Sequence, residues 1–226
     1  MRHRNRKHDS WSLRCPRCRL HTDLCACALL TPMATRTQVV LISHVVEHRK
    51  PTNTGHLAVE CLEKARLVRR GQYDGTAATI AFDGTTQPIL LFPSSDAVPL
   101  DEWNAARGPA PSSVTLVVPD GTWRQAKRVR ARVPGLAQIP CVSLPASLFS
   151  SYRLRHARVI GQLATLEAIA HAMSILENPE VGARLLRIFR VVVDRALWSN
   201  GRLTDEEVTG GLPAGASQHF RPTSNI

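Results

Sequence analysis

The sequence contains no run of about 18 apolar residues, the length that a helix needs to cross a bilayer, so no membrane span is expected. No apolar stretch follows the basic residues 1–8, so no secretory signal is expected either. Acidic residues are scarce: 18 Asp and Glu stand against 29 Lys and Arg, a net charge of +11. We therefore expect a cytoplasmic protein with a polyanionic partner, RNA or DNA first and an anionic membrane surface second. A genome rich in arginine codons would give the same excess.

The sequence also lacks a P-loop, a G-x-G-x-x-G segment after a strand, and any internal repeat. These absences argue against a dinucleotide-binding or NTP-hydrolysing enzyme. Short apolar runs instead alternate with helical patterns, and 43% of the 226 residues are hydrophobic, enough for a core. The alternation predicts an α/β domain with a mostly parallel sheet.

The expected elements follow from the apolar spacing. Strands are predicted at 38–43, 79–82, 88–92, 114–119 and 139–144. Helices are predicted from Asn53 or Thr54 to Gly71, from Trp123 to Val133, over 163–176, and from Pro179 to Trp198. The chain divides into a basic flexible arm (1–14), a cysteine cluster (15–30), a main domain (31–205) and a loose tail (206–226).

The first half of the chain carries four closely spaced cysteines with the spacing C-x2-C-x6-C-x-C. They are Cys15, Cys18, Cys25 and Cys27. Four thiolates this close together can surround one tetrahedral Zn²⁺, with His21 a less favoured ligand. Two disulfides are the alternative, which a reducing compartment disfavours. Cys61 and Cys141 lie within apolar patterns and are expected in the core.

The stretch VVPDGTWRQAKR (117–128) joins an apolar strand to a basic helix. Ligands of parallel sheets bind beyond the carboxyl ends of the strands, which makes Asp120 a candidate for handling a proton while nearby cations hold phosphate. A structural interpretation is also open. In it, Asp120 or Thr122 caps the helix, Gly121 permits the turn, and Trp123 belongs to the core.

The segment Asp120-Gly121-Thr122-Trp123 resembles the D-x-T-W signature of the DTW-domain proteins, a family of tRNA-uridine aminocarboxypropyltransferases. Four further segments resemble motifs of that family, in the same order: CPRCRLHTDLCAC (15–27), HVVEHRKPTNTGHLA (44–58), LFPSSDA (91–97), and SYRLRHA with LATLEAIA (151–157 and 163–170). The resemblance implies a SPOUT-like fold with a C-terminal trefoil knot, with the cysteine cluster beside it. It also implies that S-adenosylmethionine donates its 3-amino-3-carboxypropyl group to N3 of a tRNA uridine and leaves as 5′-methylthioadenosine.

The resemblance also implies roles for individual residues. Asp120, Thr122 and Trp123 are expected to be catalytic; Asp120 either takes or orients the N3 proton or attracts a cationic group of the co-substrate. The residues expected to bind S-adenosylmethionine are Phe92, Pro93, Ser94, Pro119, Asp120, Trp123, Leu144 and Tyr152. Zinc on the four cysteines is expected to be structural.

Polar and basic residues near these motifs are expected to contact RNA or the carboxylate of the co-substrate. They are Arg49, Asn53, Arg124, Lys127, Arg128, Arg153 and Arg155. Taken singly, each arginine also fits a solvated surface position. His44 and Glu47 follow a strand end and either support the site or are structural.

Two other functions remain open at the level of the sequence. A zinc-bearing RNA-binding module without catalysis would explain the cysteines and the charge. An S-adenosylmethionine-dependent RNA methyltransferase of related fold would release adenosylhomocysteine rather than methylthioadenosine, so the product distinguishes it.

Overall fold

The computed structural model describes residues 11–71, 80–82, 84–108, 112–154 and 163–219. Its centre is a six-stranded sheet in the order β2-β1-β5-β3-β6-β4, in which every neighbouring pair is parallel. The strands are β1 (Gln38–His44), β2 (Ala65–Arg70), β3 (Gln87–Leu91), β4 (Val98–Pro99), β5 (Val114–Asp120) and β6 (Cys141–Ser143). The predicted class, α/β with a mostly parallel sheet, is confirmed.

Helices cover both faces of this sheet. They are α1 (Val45–His48), α2 (His56–Cys61), α3 (Leu100–Ala105), α4 (Trp123–Lys127), α5 (Val129–Arg132), α6 (Thr165–Leu176) and α7 (Pro179–Ser199). Short 3₁₀ turns flank and interrupt the cysteine segment at Trp11–Leu13, Thr22–Leu24 and Cys27–Leu29. Within the described residues, none of the helices combines the length and the apolar character that a bilayer crossing requires.

The central strand β1 shows how the sheet divides the core. Side chains alternate along a strand, so Val39 and Leu41 face one layer while Val40 and Ile42 face the other. The first layer is the larger and includes residues of α2, α6, α7 and the cysteine segment. The second includes Val129 of α5. A strand buried on both faces reads as a continuous apolar run, which is why 38–43 was predictable.

The longest helix, α7, begins at a strong helix N-terminal capping signal. Asn178 accepts a hydrogen bond from the backbone of Val181, and Pro179 occupies the first turn, where its missing N–H costs nothing. Phe189 on this helix is fully buried. Replacing such a side chain by alanine typically costs about 3–5 kcal/mol. This helix therefore anchors α6, which in turn reaches the site.

Two predicted elements are wrong. The expected helix over 53–71 ends at Cys61, and residues 65–70 form the edge strand β2 instead. Ala65 and Val68 continue the helical spacing by coincidence, and an edge strand that is only half buried carries a weak strand pattern. The expected strand at 79–82 is absent from 80–82, the described part of it, where Ile80 is buried in the second core layer as part of a loop.

Part of the segment expected to be a loose tail has fixed contacts. Val208 is buried in the first core layer. The Ser217 hydroxyl donates to Asp23 over 2.5 Å, and the rings of His219 and His21 stack at 3.7 Å. The Gly, Pro and Ser content of this segment therefore reflects turns that wrap the cysteine segment, and residues 220–226 lie outside the described part.

Candidate active site

Asp120 and Ser43 lie at the carboxyl ends of two neighbouring strands. β5 ends at Asp120, and its register with β1 places Ser43 directly opposite. Both side chains are buried, at 4% and 0% exposure. The Ser43 hydroxyl donates to Asp120 Oδ2 over 2.6 Å. The strand register thus sets the first contact of the site.

Two further donors reach the same carboxylate from distant parts of the chain. Asn53 Nδ2 donates to Asp120 Oδ2 over 2.6 Å, and Thr165 Oγ1 donates to Oδ1 over 2.7 Å. All three donors are neutral, so they orient the carboxylate without cancelling its negative charge.

The start of α2 packs closely against this carboxylate. A Cβ at Gly55 would lie 3.0 Å from Asp120 Oδ1 and 3.1 Å from Thr165 Cγ2, so a larger residue would push the two apart. Asn53 Oδ1 accepts from the backbone of His56 over 3.3 Å, which fixes the amide so that its nitrogen points to Asp120. Gly55 and Asn53 together hold the loop between α1 and α2 (residues 49–55), here called the site loop, against Asp120.

A second buried carboxylate, Glu167, organises the other wall. It is 2% exposed, and it accepts from the backbone of Ser151 over 2.7 Å and from the backbone of Ala164 over 2.8 Å. The Ser150 hydroxyl also donates to it over 2.5 Å. Glu167 therefore ties the 150–151 turn to the start of α6, where Thr165 contacts Asp120.

A cavity of about 410 Å³ opens beside this network. Its lining is mostly apolar and comes from β3, β5, the loop after β6 and the start of α6. The lining residues are Leu91, Phe92, Pro93, Val118, Pro119, Gly121, Trp123, Ala126, Leu144, Pro145, Ala146, Leu163, Thr165 and Ala168. A pocket of this size, with few polar groups, suits a small organic ligand.

Trp123 and Thr122 have different tasks at the cavity mouth. Trp123 is 40% exposed and its ring lies 5.7 Å from that of Phe92, tilted by 52°. Thr122 forms a capping box with Gln125: the Thr122 backbone donates to Gln125 Oε1 over 2.8 Å, and the Gln125 backbone donates to the Thr122 hydroxyl over 3.3 Å. The structure therefore places Thr122 as the helix cap, and it places Trp123 at the pocket rather than in the core.

The residues predicted to bind the co-substrate divide into two groups. Phe92, Pro93, Pro119, Trp123 and Leu144 line the cavity, whereas Asp120 is not a lining residue and stands in the chain between two that are, Pro119 and Gly121. Two others point elsewhere. Ser94 donates to Asp96 over 2.7 Å, and Tyr152 donates to the carbonyl of Thr52 over 2.5 Å, so Tyr152 supports the site loop.

The residues predicted to contact RNA also divide. Arg49, Arg124, Lys127 and Arg128 are exposed. Arg153 is exposed too, and it forms an ion pair with Asp194 at 2.9 Å. Asn53 is only 4% exposed and belongs to the Asp120 network. Arg155 lies outside the described residues.

Sequence reasoning missed four residues of this site: Ser43, Gly55, Thr165 and Glu167. Ser43 was the last residue of a predicted strand, and strand ends are the places to look. Thr165 and Glu167 lie in the segment LATLEAIA, where only their position in the first turn of a helix marks them. Nothing local in the sequence shows that Thr165 and Asp120 meet.

His44 and Glu47, expected to be supporting or structural, have structural contacts. The His44 ring accepts from the backbone of Val46 over 3.3 Å and so caps α1. Burial lowers the pKa of His44, and the charge of Arg70 adds to the effect. Glu47 is 2% exposed and pairs with Lys50 at 2.5 Å.

The four clustered cysteines fit a tetrahedral metal site. Their sulfur atoms all lie within 4.8 Å of one another, and Cys18 Sγ is 3.8 Å from Cys25 Sγ. Four sulfurs about 2.3 Å from a zinc ion lie about 3.8 Å apart. All six cysteines are free thiols, so the structure does not contain the alternative of two disulfides. Cys61 and Cys141 are buried in the core as expected.

Hydrogen bonds from the protein also suit thiolate ligands. The Ala26 backbone donates to Cys18 Sγ and the Cys27 backbone donates to Cys25 Sγ, each over 3.5 Å. Arg195 on α7 donates to the carbonyl of Cys25 over 2.8 Å. Burial raises the pKa of the metal-free Cys18 thiol to about 11. A bound cation would offset that burial, because metal ligation deprotonates a thiol.

The cysteine cluster touches the active-site loop through Arg19. This residue follows Cys18, adopts a left-handed backbone with φ of 63°, and is 7% exposed. Its Nη1 donates to the carbonyl of His48 over 2.7 Å. Burial lowers the pKa of Arg19, and the negative charge of Asp120 opposes that shift. A buried cation of the cysteine segment therefore lies within the electrostatic reach of the site.

His56 forms the second link between the cluster and the loop. Its Nε2 lies 2.9 Å from the carbonyl of Arg17, and its Nδ1 lies 2.8 Å from the carbonyl of Asn53. Burial lowers the pKa of His56 to about 3, helped by the charge of Arg19, so the ring is neutral at pH 7. The position of Asn53 thus depends on the cysteine segment.

Comparisons with known proteins identify relatives of the whole domain. A family model described as the DTW domain matches residues 12–197. A tRNA-uridine aminocarboxypropyltransferase 2 from Drosophila melanogaster is 33% identical over 182 residues, 77% of this chain and 71% of that protein. The protein of the same name from Macaca fascicularis is 31% identical over 182 residues, 76% of this chain and 60% of that protein. The chain thus spans less than two thirds of the macaque relative.

A solved structure is also similar. It is the structure of the SAM-dependent rRNA:acp-transferase Tsr3 from Vulcanisaeta distributa, with a TM-score of 0.45 and 20% sequence identity over 77% of this chain and 85% of that chain. The family match covers the D-G-T-W segment at Asp120, the cysteine cluster and the loop that joins them. This chain belongs to the DTW-domain family.

Proposed function

We propose that this chain is a tRNA-uridine aminocarboxypropyltransferase. The observation that carries the proposal is a buried carboxylate, Asp120, held by three neutral donors at the edge of an apolar cavity of about 410 Å³. Family membership and the names of the relatives at 31–33% identity support the same activity. The substrates are a tRNA and S-adenosylmethionine.

The reaction is a displacement at the γ carbon of the methionine part of S-adenosylmethionine. A bond forms between uridine N3 and that carbon, the carbon–sulfur bond breaks, and 5′-methylthioadenosine leaves with the electron pair. The N3 proton passes to a base or to solvent. The co-substrate supplies its own leaving group, so the protein contributes mainly the alignment of the two reactants, worth up to about 7–11 kcal/mol.

Asp120 acts in this scheme as a fixed negative charge. Three of its lone pairs are taken by Ser43, Asn53 and Thr165, which leaves one direction of Oδ1 toward an incoming group. This arrangement suits attraction of the sulfonium or the ammonium group better than removal of a proton, because three of the four lone pairs already accept hydrogen bonds. Asp120 then positions the transferred group in line with uridine N3.

The cavity lining provides the place for the nucleoside. Phe92, Pro93, Pro119 and Leu144 offer apolar surface to adenosine, and Trp123 stands at the mouth. The π face of a tryptophan attracts a cation such as a sulfonium. Thr122 contributes by fixing the turn that aims Trp123, whereas Ser94 and Tyr152 act through the loops they hold.

The exposed cations around the cavity are assigned to the RNA. Arg49, Arg124, Lys127 and Arg128 have the exposure that phosphate contacts need, and Arg153 and Arg155 belong to the segment before α6. Most protein contacts to nucleic acid go to the backbone and set orientation rather than sequence. We assign the enzyme to the cytoplasm, one compartment in which tRNA is present.

The cysteine cluster is assigned to one zinc ion. Cys15, Cys18, Cys25 and Cys27 would hold it, and with four protein ligands it would be structural. Its contribution to catalysis is indirect. Arg19 and His56 join the cysteine segment to the loop that carries Asn53, so the folded cluster helps to position that loop.

The fold is assigned to the SPOUT-like type with a C-terminal trefoil knot. β6 lies between β3 and β4, both of which precede it in the chain. The chain leaving β6 then turns back to α6, whose Thr165 contacts the end of β5. A strand inserted between two earlier ones, followed by a return to the sheet centre, is compatible with such a knot.

A mass-spectrometric assay tests the function directly. The protein is mixed with unmodified tRNA transcripts and S-adenosylmethionine, with an Asp120→Ala variant alongside. A gain of one aminocarboxypropyl group on uridine, release of methylthioadenosine and an inactive variant are expected. A methyl gain with adenosylhomocysteine would make the protein a methyltransferase. Tight RNA binding without any gain would make it a zinc-bearing binding module.

A further inference from the structure

Three arginines converge beyond the end of the edge strand β2, outside the site described above. Arg70 is the last residue of β2 and pairs in register with His44 of β1. Arg128 joins α4 to α5, and Arg132 is the last residue of α5. None of the three lines the cavity, and two of them, Arg70 and Arg132, were not singled out by the sequence.

Contacts to one backbone carbonyl fix the position of the Arg70 side chain relative to Arg128. Arg70 Nη2 donates to the carbonyl oxygen of Gln125 over 2.8 Å. The backbone of Arg128 donates to the same oxygen over 3.2 Å. The Arg70 guanidinium therefore lies against the turn at which Arg128 begins α5. Arg132, four residues further on, lies on the same side of that helix.

The cluster carries positive charge that no carboxylate among the described residues balances. Burial lowers the pKa of Arg70, and the charges of Arg132 and Arg128 lower it further. Arg70 Nε is buried and has no hydrogen-bond partner among the described residues. Within that same part of the chain, no carboxylate forms an ion pair with any of the three. Like charges held together this way are typical of an anion site before its anion binds.

The surroundings extend the cluster into a basic surface. Arg66 and Arg69 on β2 are exposed, as are Arg124 and Lys127 on α4. Two other arginines behave differently: Arg17 pairs with Glu60, and Arg130 of α5, which is half-buried, pairs with Asp96. Apart from Arg130, the cations along β2 and α4–α5 form no ion pair with an acidic residue in the described structure.

We infer that Arg70, Arg128 and Arg132 bind one backbone phosphate of the RNA strand that carries the target uridine. This inference rests on the proposed function. β2 is two strands away from β5, about 10 Å, which a nucleic-acid strand covers in about three nucleotides. Guanidinium groups bind phosphate in paired hydrogen bonds, which three neighbouring arginines can supply from several sides. Holding this phosphate fixes the distance along the strand to Asp120.

The test compares Arg70→Gln, Arg128→Gln and Arg132→Gln with a matched control, Arg187→Gln. Arg187 is an exposed arginine of α7, a helix that packs in the first core layer, whereas α5 packs in the second. The affinity for tRNA is measured over a range of salt concentrations. The affinity for S-adenosylmethionine and the melting temperature are measured for every variant. Arg70→Gln removes a contact to Gln125, so Arg128→Gln and Arg132→Gln keep the test valid if that variant folds poorly.

The expected result is specific to the cluster. Each cluster variant binds tRNA about tenfold more weakly, with the slope of log affinity against log salt reduced by about 0.7 to 0.9. A double variant that combines Arg128→Gln with Arg132→Gln loses less binding free energy than the sum of the two single losses, because the arginines share one phosphate. S-adenosylmethionine binding is unchanged, and Arg187→Gln behaves as the wild type.

The measurements separate failure of the phosphate site from failure of the proposed function. If the wild type modifies tRNA and the cluster variants keep the wild-type affinity and salt slope, the phosphate site is wrong and the function stands. If the wild type modifies no tRNA but the variants still lose RNA affinity, the function is wrong and the RNA contact stands. Weakened binding to phosphatidylserine–phosphatidylcholine vesicles, with tRNA binding intact, would assign the surface to a membrane.

Discussion

Asn53 Nδ2 lies 2.6 Å from Asp120 Oδ2, although the two residues are 67 positions apart in the chain. The contact joins the loop after β1 to the end of β5, and it orders both before any ligand binds. Ser43 donates to the same oxygen. A carboxylate held in this way needs no rearrangement when a cationic ligand arrives, which is the condition for strong electrostatic stabilisation.

The Asp120→Asn variant removes the negative charge of this side chain and keeps its shape. The hydroxyl of Thr165 can rotate to accept a hydrogen bond from the amide nitrogen that replaces Oδ1. The variant is therefore expected to fold. Transfer to tRNA should fall at least about 100-fold, because the fixed negative charge is gone. The rate of methylthioadenosine release and the melting temperature measure the two effects. Wild-type release from a folded variant would remove Asp120 from the active site.

The Asn53→Ala variant tests the support of the carboxylate. It removes the donor to Asp120 and the acceptor for the His56 backbone, at a cost of about 1.5–3 kcal/mol for a hydrogen bond to a charged group. In a chain of this length the melting temperature should fall by about 3 to 12 °C. Asn200→Ala is the control, since Asn200 is exposed and its side chain donates to the carbonyl of Ala196. Equal losses from both variants would contradict a special role for Asn53.

The Cys18→Ser variant tests the metal site independently of activity. Elemental analysis of the purified wild type should give about one zinc per chain, as a four-cysteine site predicts. Removing a ligand should lower the zinc content and the melting temperature together, since metal binding contributes to folding. Cys61→Ser is the matched control, because Cys61 is buried outside the cluster and should keep the metal. A wild type that carries no metal after expression with added zinc would contradict the assignment.

The lowered pKa of His56 predicts that the protein loses stability as the pH falls. Burial and the charge of Arg19 lower its pKa to about 3, below the ordinary 6.5, so the unfolded chain binds the proton first. The stability due to the neutral ring is complete above pH 6.5 and is lost as the pH falls toward 3, at up to about 1.4 kcal/mol per unit. The melting temperature should drop by about 3 to 5 °C between pH 6 and pH 5.

The His56→Gln variant isolates this effect. Glutamine does not titrate, so its melting temperature should fall less over the same interval, with metal content followed at each pH. His48 and Arg19 face the ring and are kept in both proteins. Parallel curves for wild type and variant would show that the acid sensitivity comes from other groups.

The Trp123→Ala variant tests the mouth of the cavity. Trp123 is 40% exposed, and Thr122 still caps α4, so stability should change little. Affinity for S-adenosylmethionine should fall about tenfold, whereas Trp123→Phe should keep most of it. Titration calorimetry measures both. Phe149→Ala, which removes an aromatic ring that is 73% exposed and outside the cavity lining, should bind as the wild type does.

The sequence predicted the buried strands well and the edge of the sheet poorly. β1 and β5 are buried on both faces, so their apolar runs were unambiguous. β2 has only one neighbouring strand, and its residues alternate too weakly to be separated from the end of α2. Packing against β1, a contact with no local signature, decides that Ala65–Arg70 is a strand.

The same limit applies to the site. Asp120 and the four cysteines were found because each stands in a local pattern: a strand end followed by a turn, and short cysteine spacings. Thr165 and Ser43 were missed because their importance lies in which distant residue they touch. Asn53 was predicted to contact RNA or the carboxylate of the co-substrate, whereas the structure shows that it is buried and donates to Asp120.

The contact between Arg195 and the carbonyl of Cys25 links residues 170 positions apart. On the ribosome the cysteines emerge long before α7 does, by about 10 to 30 s at ordinary elongation rates. The four proposed zinc ligands are therefore all synthesised well before α7, which closes over the loop only near the end of synthesis. If these cysteines hold zinc, a nascent chain can bind the ion before α7 forms, and a chain truncated before α7 would release it more readily than the full chain.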